Sequence, residues 1–217
     1  SGGIAVGSEV TAVADRAIAI GHVNAAGLVE VDPESGAETV TGVEAIAIGT
    51  RNAAYGDAAL ALGTDNLAVL VSDIAVGQLN TASGGQSSAL GRENNATGSN
   101  SSAIGNENDA TGISSSAFGY ENNASGDRSS AIGNSNVASG SNSSAFGNQS
   151  IASGRNSNAF GYENLASGDR SSAIGDNNVA SGERSSALGY LNEALNSDAA
   201  AIGTQNEASG QYSNAIG

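Results

Sequence analysis

The apolar positions of this chain recur with a fixed period of 14 residues. Glycine occupies 15 of the 16 positions that begin at Gly7 and end at Gly217, and Ser35 is the exception. Alanine stands two residues before each of these positions except at Pro33, and the residue between them is apolar in 15 of the 16 units. Such a strict period is the signature of a repeat architecture in which each unit stacks on its neighbours. The pattern therefore predicts a solenoid.

A half-period inside each repeat indicates what one coil contains. A second Ala follows the first by seven residues in 14 of 15 units, and a second Gly follows in 11 of 15, as in Ala103-Ile104-Gly105 and Ala110-Thr111-Gly112. We predict two short strands and two glycine-containing bends per 14-residue coil, which makes the chain an all-β parallel solenoid. Helix is disfavoured because each Gly costs about 1 kcal/mol relative to Ala in a helix. A flexible Gly-rich linker would show no positional rule.

The alternation of side chains along a strand separates the Ala from the large apolar residue that follows it. We expect Ala from both strands to line a thin interior and the large residues to form a stripe on one outer face. The reverse arrangement, with the large residues inside, stays open. An outer stripe is too large an apolar patch for a soluble monomer and predicts self-association. The predicted interface residues are Ile104, Phe118, Ile132, Phe146, Phe160 and Ile174.

Asparagine stands three residues after the first Gly of the unit in 12 of 15 positions. Asparagines stacked at equal heights in successive coils can hydrogen-bond to one another, and Asn also tolerates left-handed turn conformations. We interpret the column as a structural ladder, and an array that binds a ligand is the alternative. The ladder comprises Asn94, Asn108, Asn122, Asn136, Asn164 and Asn178.

One unit departs from the repeat. Residues 28–42 alternate like a β-hairpin around a Pro/Gly turn, within a single domain that spans residues 1–217. A projecting loop carries function more often than a regular coil does, although we favour a plain tolerated insertion here. The residues of the possible projecting loop are Asp32, Pro33, Glu34, Ser35 and Gly36.

Composition and charge exclude several classes of partner and activity. Seven Arg, no Lys and 22 carboxylates give a net charge of −15, which disfavours nucleic acid and anionic membranes as partners. The chain has no Cys and only one His, His22, so we expect no catalytic, cofactor-binding or metal-binding residues and no enzyme activity. Recurring acids such as Glu93 and Glu107 indicate a solvated edge. Arg residues near the end of the repeat, such as Arg184, are expected to pair with acids of neighbouring coils.

The unit SSAIGNENDATG, from Ser101 to Gly112, and its relatives SSAFGYENNASG and SSAIGNSNVASG resemble the YadA-like head repeat of trimeric autotransporter adhesins. The resemblance covers nearly the whole chain. It implies a left-handed parallel β-roll of 14-residue coils assembled as a homotrimer. It also implies display as an extracellular passenger head at the outer membrane of a Gram-negative bacterium, without direct membrane contact by this segment. The family's stalk and anchor have no counterpart here, so we expect a head fragment.

The resemblance implies a surface adhesin head that binds host extracellular matrix, host cell-surface molecules or other bacteria through multivalent, non-catalytic contacts, as in virulence-associated adhesion. Three linked copies of a weak site would gain avidity. Two alternatives belong to other classes. One is a structural spacer of a surface fibre, and the other is a solenoid that binds ice or polysaccharide through a ladder of polar side chains.

Overall fold

A computed structural model describes residues 2–31 and 38–217, and within these ranges every regular element is a β-strand. The described residues divide into two compact units, with the division between Glu107 and Asn108. Each unit is a parallel solenoid built from 14-residue coils, and each complete coil contributes one five-residue strand and one two-residue strand. The predicted all-β parallel solenoid is therefore confirmed.

The long strands of the first unit are Ile4–Ser8, Ile18–His22, Ile46–Thr50, Leu60–Thr64, Ile74–Gln78, Ser88–Arg92 and Ser102–Asn106. Its short strands are Thr11–Ala12, Ala25–Ala26, Ala53–Ala54, Leu67–Ala68, Thr81–Ala82 and Asn95–Ala96.

The long strands of the second unit are Ser116–Tyr120, Ser130–Asn134, Ser144–Asn148, Asn158–Tyr162, Ser172–Asp176, Ser186–Tyr190 and Ala200–Thr204, with a three-residue strand at Asn214–Ile216. Its short strands are Asp109–Ala110, Asn123–Ala124, Val137–Ala138, Ile151–Ala152, Leu165–Ala166, Val179–Ala180, Glu193–Ala194 and Glu207–Ala208.

Neighbouring strands pair in parallel and in register, so that equivalent residues of successive coils lie side by side. Ala117 pairs with Ala131, and Gly119 pairs with Gly133, each exactly one repeat away in sequence. Because the register equals the repeat, every position of the unit becomes a column of like residues. The chemistry of each surface can therefore be read from one position of the repeat.

An antiparallel hairpin interrupts the coils of the first unit. Its strands are Leu28–Val31 and Glu38–Thr41, with Leu28 opposite Thr41 and Val29 opposite Val40. The strand Ile18–His22 pairs directly with Ile46–Thr50, 28 residues later, so the hairpin replaces one coil without breaking the sheet. The loop predicted at 32–36 lies outside the described residues.

The interior of each unit is built from small side chains. The Ala residues of both strands are buried, as in Ala103, Ala117 and Ala124. Buried Ser residues such as Ser115 and the Asn column complete the interior. A methyl group contributes only about 0.8 kcal/mol on burial, so the coils depend heavily on their backbone hydrogen bonds.

The structure confirms a bend at the second Gly of the unit and corrects the one predicted at the first. Gly112 begins a turn in which its carbonyl oxygen accepts a hydrogen bond from the Ser115 N–H at 3.2 Å. The corners of the coils are formed by non-glycine residues in the left-handed region, such as Glu121 at φ 53° and Arg128 at φ 56°. The first Gly of the repeat instead lies inside the long strand. A Cβ on Gly133 would overlap the carbonyl oxygen of Gly147 in the next coil. Glycine therefore recurs there because neighbouring backbones approach closely, and its position does not mark a turn.

Candidate functional site

The large apolar residues at the centre of the long strands lie on the outer face of the long-strand sheet, and we call this column the outer stripe. Ile132 and Ile174 are each 37% exposed, and Ile104 in the first unit is 40% exposed. Phe118, Phe146 and Phe160 are half-buried. The alternative arrangement, with these large residues inside the solenoid, is therefore wrong.

Register makes the outer stripe continuous within each unit. In the second unit Phe118 pairs with Ile132, and Phe146 pairs with Phe160. The rings of Phe146 and Phe160 stack with centroids 4.9 Å apart and planes inclined by 5°. Aromatic and aliphatic side chains therefore pack against one another along the sheet while one side of the column stays accessible. A contiguous, partly exposed apolar column of this kind is characteristic of an interaction surface.

The outer face of the first unit carries a second apolar column. Ile4, Ile18, Ile46, Leu60 and Ile74 stand where Ser88 and Ser102 begin the later strands. Because alternate residues share a face, this column lies beside the outer stripe on the same sheet. The apolar surface is therefore wider in these coils.

Another apolar row lies on the short-strand sheet of the second unit, and sequence reasoning missed it. Val137 pairs with Ile151, which pairs with Leu165, which pairs with Val179. Ile151 is exposed, and the other three side chains are half-buried. The row is visible in the sequence as four successive coils with an apolar residue directly before the second Ala. Nearby coils have Asn, Asp or Glu at that position.

The asparagine column is a buried hydrogen-bond ladder. Asn136 Nδ2 donates to Asn122 Oδ1 at 3.0 Å, and the Asn136 backbone N–H donates to the same oxygen at 3.1 Å. Asn136 Nδ2 also donates to the carbonyl oxygens of Ile132 and Gly147. Ser150 interrupts the column, and its backbone N–H still donates to Asn136 Oδ1 at 3.0 Å.

All six asparagines of the predicted ladder are buried. Asn94, Asn108, Asn136 and Asn178 expose none of their surface, and Asn122 and Asn164 expose 1%. Side chains enclosed in this way join coils to one another and present no array to an external ligand. The ligand-array alternative is therefore wrong for these residues, and an ice or polysaccharide surface would have to use other side chains.

Exposed ion pairs link successive coils at the corners. Arg184 donates from Nε and Nη2 to the two carboxylate oxygens of Asp198 at 2.7 and 2.8 Å. These hydrogen bonds hold the pKa of Asp198 below its usual range and raise that of Arg184. Arg51 lowers the pKa of Asp65 through the same arrangement. The side chains of Asp198 and Asp65 are 25% and 26% exposed, so these pairs lie at the surface and link the corners of successive coils.

The described residues offer no arrangement of metal ligands. Within residues 2–31 and 38–217, no three His, Cys, Asp or Glu side chains come together in a group that could hold a metal ion. The same ranges contain no helix of the length and apolarity needed to cross a membrane. The features that remain for function are the apolar outer columns and the hairpin.

Comparison with known families identifies the repeat. The family model described as the YadA head domain repeat (2 copies) matches residues 41–66, 71–94, 82–108, 110–136, 138–164 and 166–192, which together exceed half of the chain. This chain belongs to the YadA head family. A YadA head is a domain of the trimeric autotransporter adhesin type, and its β-solenoid is typical of non-enzymatic adhesins. A comparison of the chain with curated proteins found no match.

Proposed function

We propose that this YadA head is the homotrimeric, non-catalytic binding head of an adhesin on the surface of a Gram-negative bacterium. Membership of the family supports this function, and the outer stripe is the single structural observation that carries it. A monomer would leave that stripe in contact with water along each unit. Burial of apolar surface is worth about 25 cal/mol per Å², so covering each chain's stripe with a neighbouring chain would stabilise the assembly.

The second apolar row supports a closed ring of three chains. In a cyclic trimer each chain offers one patch to one neighbour and a different patch to the other, so two surfaces are needed. The outer stripe supplies one of them. The row from Val137 to Val179 lies on the other sheet and is a candidate for the second. In the proposed ring the two columns would face different neighbours.

Adhesion follows from linking weak sites. Three chains present three copies of each surface feature, and a second contact made by a linked site is effectively intramolecular. The gain can reach about 10² to 10⁴ in apparent affinity without a new contact. The targets that we propose are host extracellular-matrix proteins, host cell-surface molecules and other bacteria. A head that served only as a spacer would carry none of these contacts.

The test compares adhesion before and after dissociation of the trimer. Beads coated with the chain are applied to cultured epithelial cells and to immobilised matrix protein, and the attached fraction is counted. Phe146→Asp with Phe160→Asp places charge in the outer stripe. Asn142→Asp with Asn156→Asp adds the same charge at exposed corner positions, away from the outer stripe and from the row that contains Val137.

We expect the stripe variant to lose both the trimeric mass and at least about tenfold in attachment. The asparagine variant keeps both. Attachment that is unchanged in a dissociated stripe variant contradicts the avidity mechanism. A wild-type chain that binds neither cells nor matrix contradicts the adhesive function and favours the spacer.

A further inference from the structure

Two exposed tyrosines flank an acid on the surface of the second unit. Tyr162 and Tyr190 each end a long strand, and both pair in register with Asp176, which ends the strand between them. The two tyrosines are 45% and 47% exposed, and Asp176 is half-buried. We call these three residues the tyrosine site.

The strand spacing determines what fits between the two tyrosines. Neighbouring strands of a sheet lie about 4.8 Å apart, so Tyr162 and Tyr190 are separated by about 10 Å along the column. A group bound at Asp176 therefore lies about 5 Å along the column from each tyrosine. A cation is attracted to the face of an aromatic ring within about 6 Å of the ring centre. One cation at Asp176 can thus interact with both rings.

The tyrosine site carries two carboxylates, and their hydrogen-bond partners are neutral. Asp176 Oδ1 accepts a hydrogen bond from Asn177 Nδ2 at 2.6 Å. The Tyr162 hydroxyl donates to the carboxylate of Glu163, the corner residue that follows it. This hydrogen bond and the negative charges of Glu163 and Asp176 raise the pKa of Tyr162. The electrostatic field of both acids therefore reaches the ring.

The arginines of these coils are engaged at the other corner. Arg170 and Arg184 both pair with Glu183, at 3.8 and 2.7 Å. In the part of the chain that the structure describes, no arginine pairs with Glu163 or Asp176. The negative charge at the tyrosine site is therefore unbalanced, and a positively charged occupant complements it.

The combination of rings and carboxylate favours a guanidinium over an ammonium group. A guanidinium is planar and weakly hydrated, so it stacks on aromatic faces, and its N–H groups match the two oxygens of a carboxylate. A second copy of this chain is a poor source of that group. Among the described residues, six of its seven arginines already pair with its own acids, and its net charge of −15 is repelled.

We propose that the tyrosine site binds an arginine side chain from an exposed segment of a partner protein. The guanidinium lies between Tyr162 and Tyr190 and donates hydrogen bonds to the Asp176 carboxylate. This inference deepens the adhesive function proposed above and rests on it for the setting in which the partner is met. One site of this kind is weak, and three linked copies in the proposed trimer would gain avidity.

The test measures binding of labelled peptides to the full 217-residue chain by fluorescence anisotropy, in about 0.05 M salt. The probe is a ten-residue Gly/Ser peptide that contains three Arg. A version with three Lys keeps the charge without the planar group, and a version with three citrullines keeps the planar group without the charge. We expect the Arg peptide to bind at least about threefold more tightly than the Lys peptide and about tenfold more tightly than the citrulline peptide.

Removal of the rings separates the tyrosine site from general attraction to an acidic protein. Tyr162→Asn with Tyr190→Thr introduces the residues found at Asn148 and Thr204, which pair with these two positions in the adjacent coils. The net charge is unchanged, and folding is expected to persist and is checked by circular dichroism. We expect this variant to bind the Arg peptide at least about fivefold more weakly.

The matched control is Tyr120→Asn. Tyr120 ends an equivalent long strand and is 42% exposed, but the next residue of its column is Asn134 in place of an acid. We expect its loss to change binding of the Arg peptide by less than about twofold.

A second pair of variants tests the carboxylate. Asp176→Asn removes one negative charge from between the rings and introduces a residue that the same column has at Asn134 and Asn148. Glu207→Gln removes the same charge from an exposed short-strand position. We expect at least about a fivefold loss of Arg-peptide binding for Asp176→Asn and less than about a twofold change for Glu207→Gln.

Several results overturn the proposal. These are equal binding of the Arg and Lys peptides, an equal loss for the Tyr120 control, and unchanged binding by Asp176→Asn. A pair of exposed aromatic rings could instead hold a sugar chain, so displacement of the Arg peptide by the neutral oligosaccharide maltoheptaose also overturns it.

The assay needs neither trimer nor cells, so its failure is distinguishable from failure of the adhesive function. Peptide binding without cell adhesion leaves the tyrosine site in place and removes the adhesive role. Cell adhesion without peptide binding does the reverse.

Discussion

Asn136 Nδ2 donates a hydrogen bond to Asn122 Oδ1 across 3.0 Å, from one coil of the solenoid to the coil before it. Both side chains are buried, and the same oxygen also accepts the Asn136 backbone N–H. In a core of Ala, Ser and Gly, these amides supply the interior with side chains that bridge coils. The ladder therefore stabilises the stacking of coils, and its loss should be measurable.

We predict that Asn136→Ala lowers the free energy of unfolding by about 2 kcal/mol, because it leaves buried carbonyl and N–H groups without partners. Asn136→Ser should cost less, since Ser150 occupies the same position in the next coil and accepts the Asn164 backbone N–H at 3.3 Å. Asn158→Ala is the control, because Ala200 stands at its outward position in a later coil. Denaturant unfolding measures all three, and equal losses for Asn136→Ala and Asn158→Ala would refute the ladder's role.

Gly133, inside a long strand, should be far less tolerant of a side chain than Gly210 in the last coil, where an added Cβ would meet no backbone atom. At Gly133, Ala combines a φ of +124° with overlap on the Gly147 carbonyl. We predict a loss of about 3 kcal/mol or more for Gly133→Ala. At Gly210 an added Cβ meets only Ser213 atoms at 3.5 Å and beyond, so Gly210→Ala should stay within about 0.5 kcal/mol. Thermal melts compare the two, and a well-folded Gly133→Ala chain would contradict the close backbone approach.

The left-handed backbone conformation at the corners indicates a substitution that should stabilise the fold. Leu191 adopts φ 54°, a conformation that costs an ordinary L-residue about 1 kcal/mol and that Asn tolerates better. Leu191→Asn should therefore raise the free energy of unfolding by about 0.5 to 1 kcal/mol. The reciprocal change Asn177→Leu, at the same corner one coil earlier, should lower it. If both substitutions shift stability in the same direction, strain at the corner is not the cause.

Acid should weaken the corner ion pairs. The Arg184 hydrogen bonds lower the pKa of Asp198, so the folded chain binds a proton there less readily than the unfolded chain. The pair stabilises the fold fully above the ordinary Asp pKa of about 3.9, and that stability is lost as the pH falls through the folded pKa. We predict a larger fall in Tm between about pH 5 and about pH 2 for the wild type than for Asp198→Asn.

A charge-matched control separates this pair from general self-repulsion. Glu207→Gln removes the same charge from an exposed short-strand position. Its acid response should follow the wild type. An identical response of Asp198→Asn and the wild type would show that the pair contributes nothing measurable.

The structure of one coil can be predicted from the sequence because paired strands are offset by 14 residues, which is also the period of the repeat. Ala103 and Ala110 mark the two strands of a unit, and Asn at the third residue after the first Gly marks the ladder. The corners at Glu121 and Arg128 could not be found, because many residue types occupy them and the left-handed conformation leaves no compositional signal. The prediction of a bend was wrong only for the first Gly of the unit, because close backbone contact and the turn conformation select the same residue, whereas the second Gly does begin a turn.

An apolar cleft of about 260 Å³ lies beside the hairpin of the first unit, lined by residues that include Leu28 and Leu70, and it could not be predicted from the sequence for a different reason. Leu70 is only one irregular residue in the repeat, and its meaning depends on Gly56 beneath it and Leu28 beside it. These residues are neighbours because a hairpin replaces a coil at that point. Proximity created by an insertion has no period, whereas proximity created by stacking does.

Assembly through the outer stripe is the central claim, and the solution mass tests it most directly. Size exclusion with light scattering, run over about two decades of concentration, measures it without assuming a shape. The account predicts a mass of three times 21.0 kDa that does not change on dilution. A stable monomer throughout that range would contradict the account.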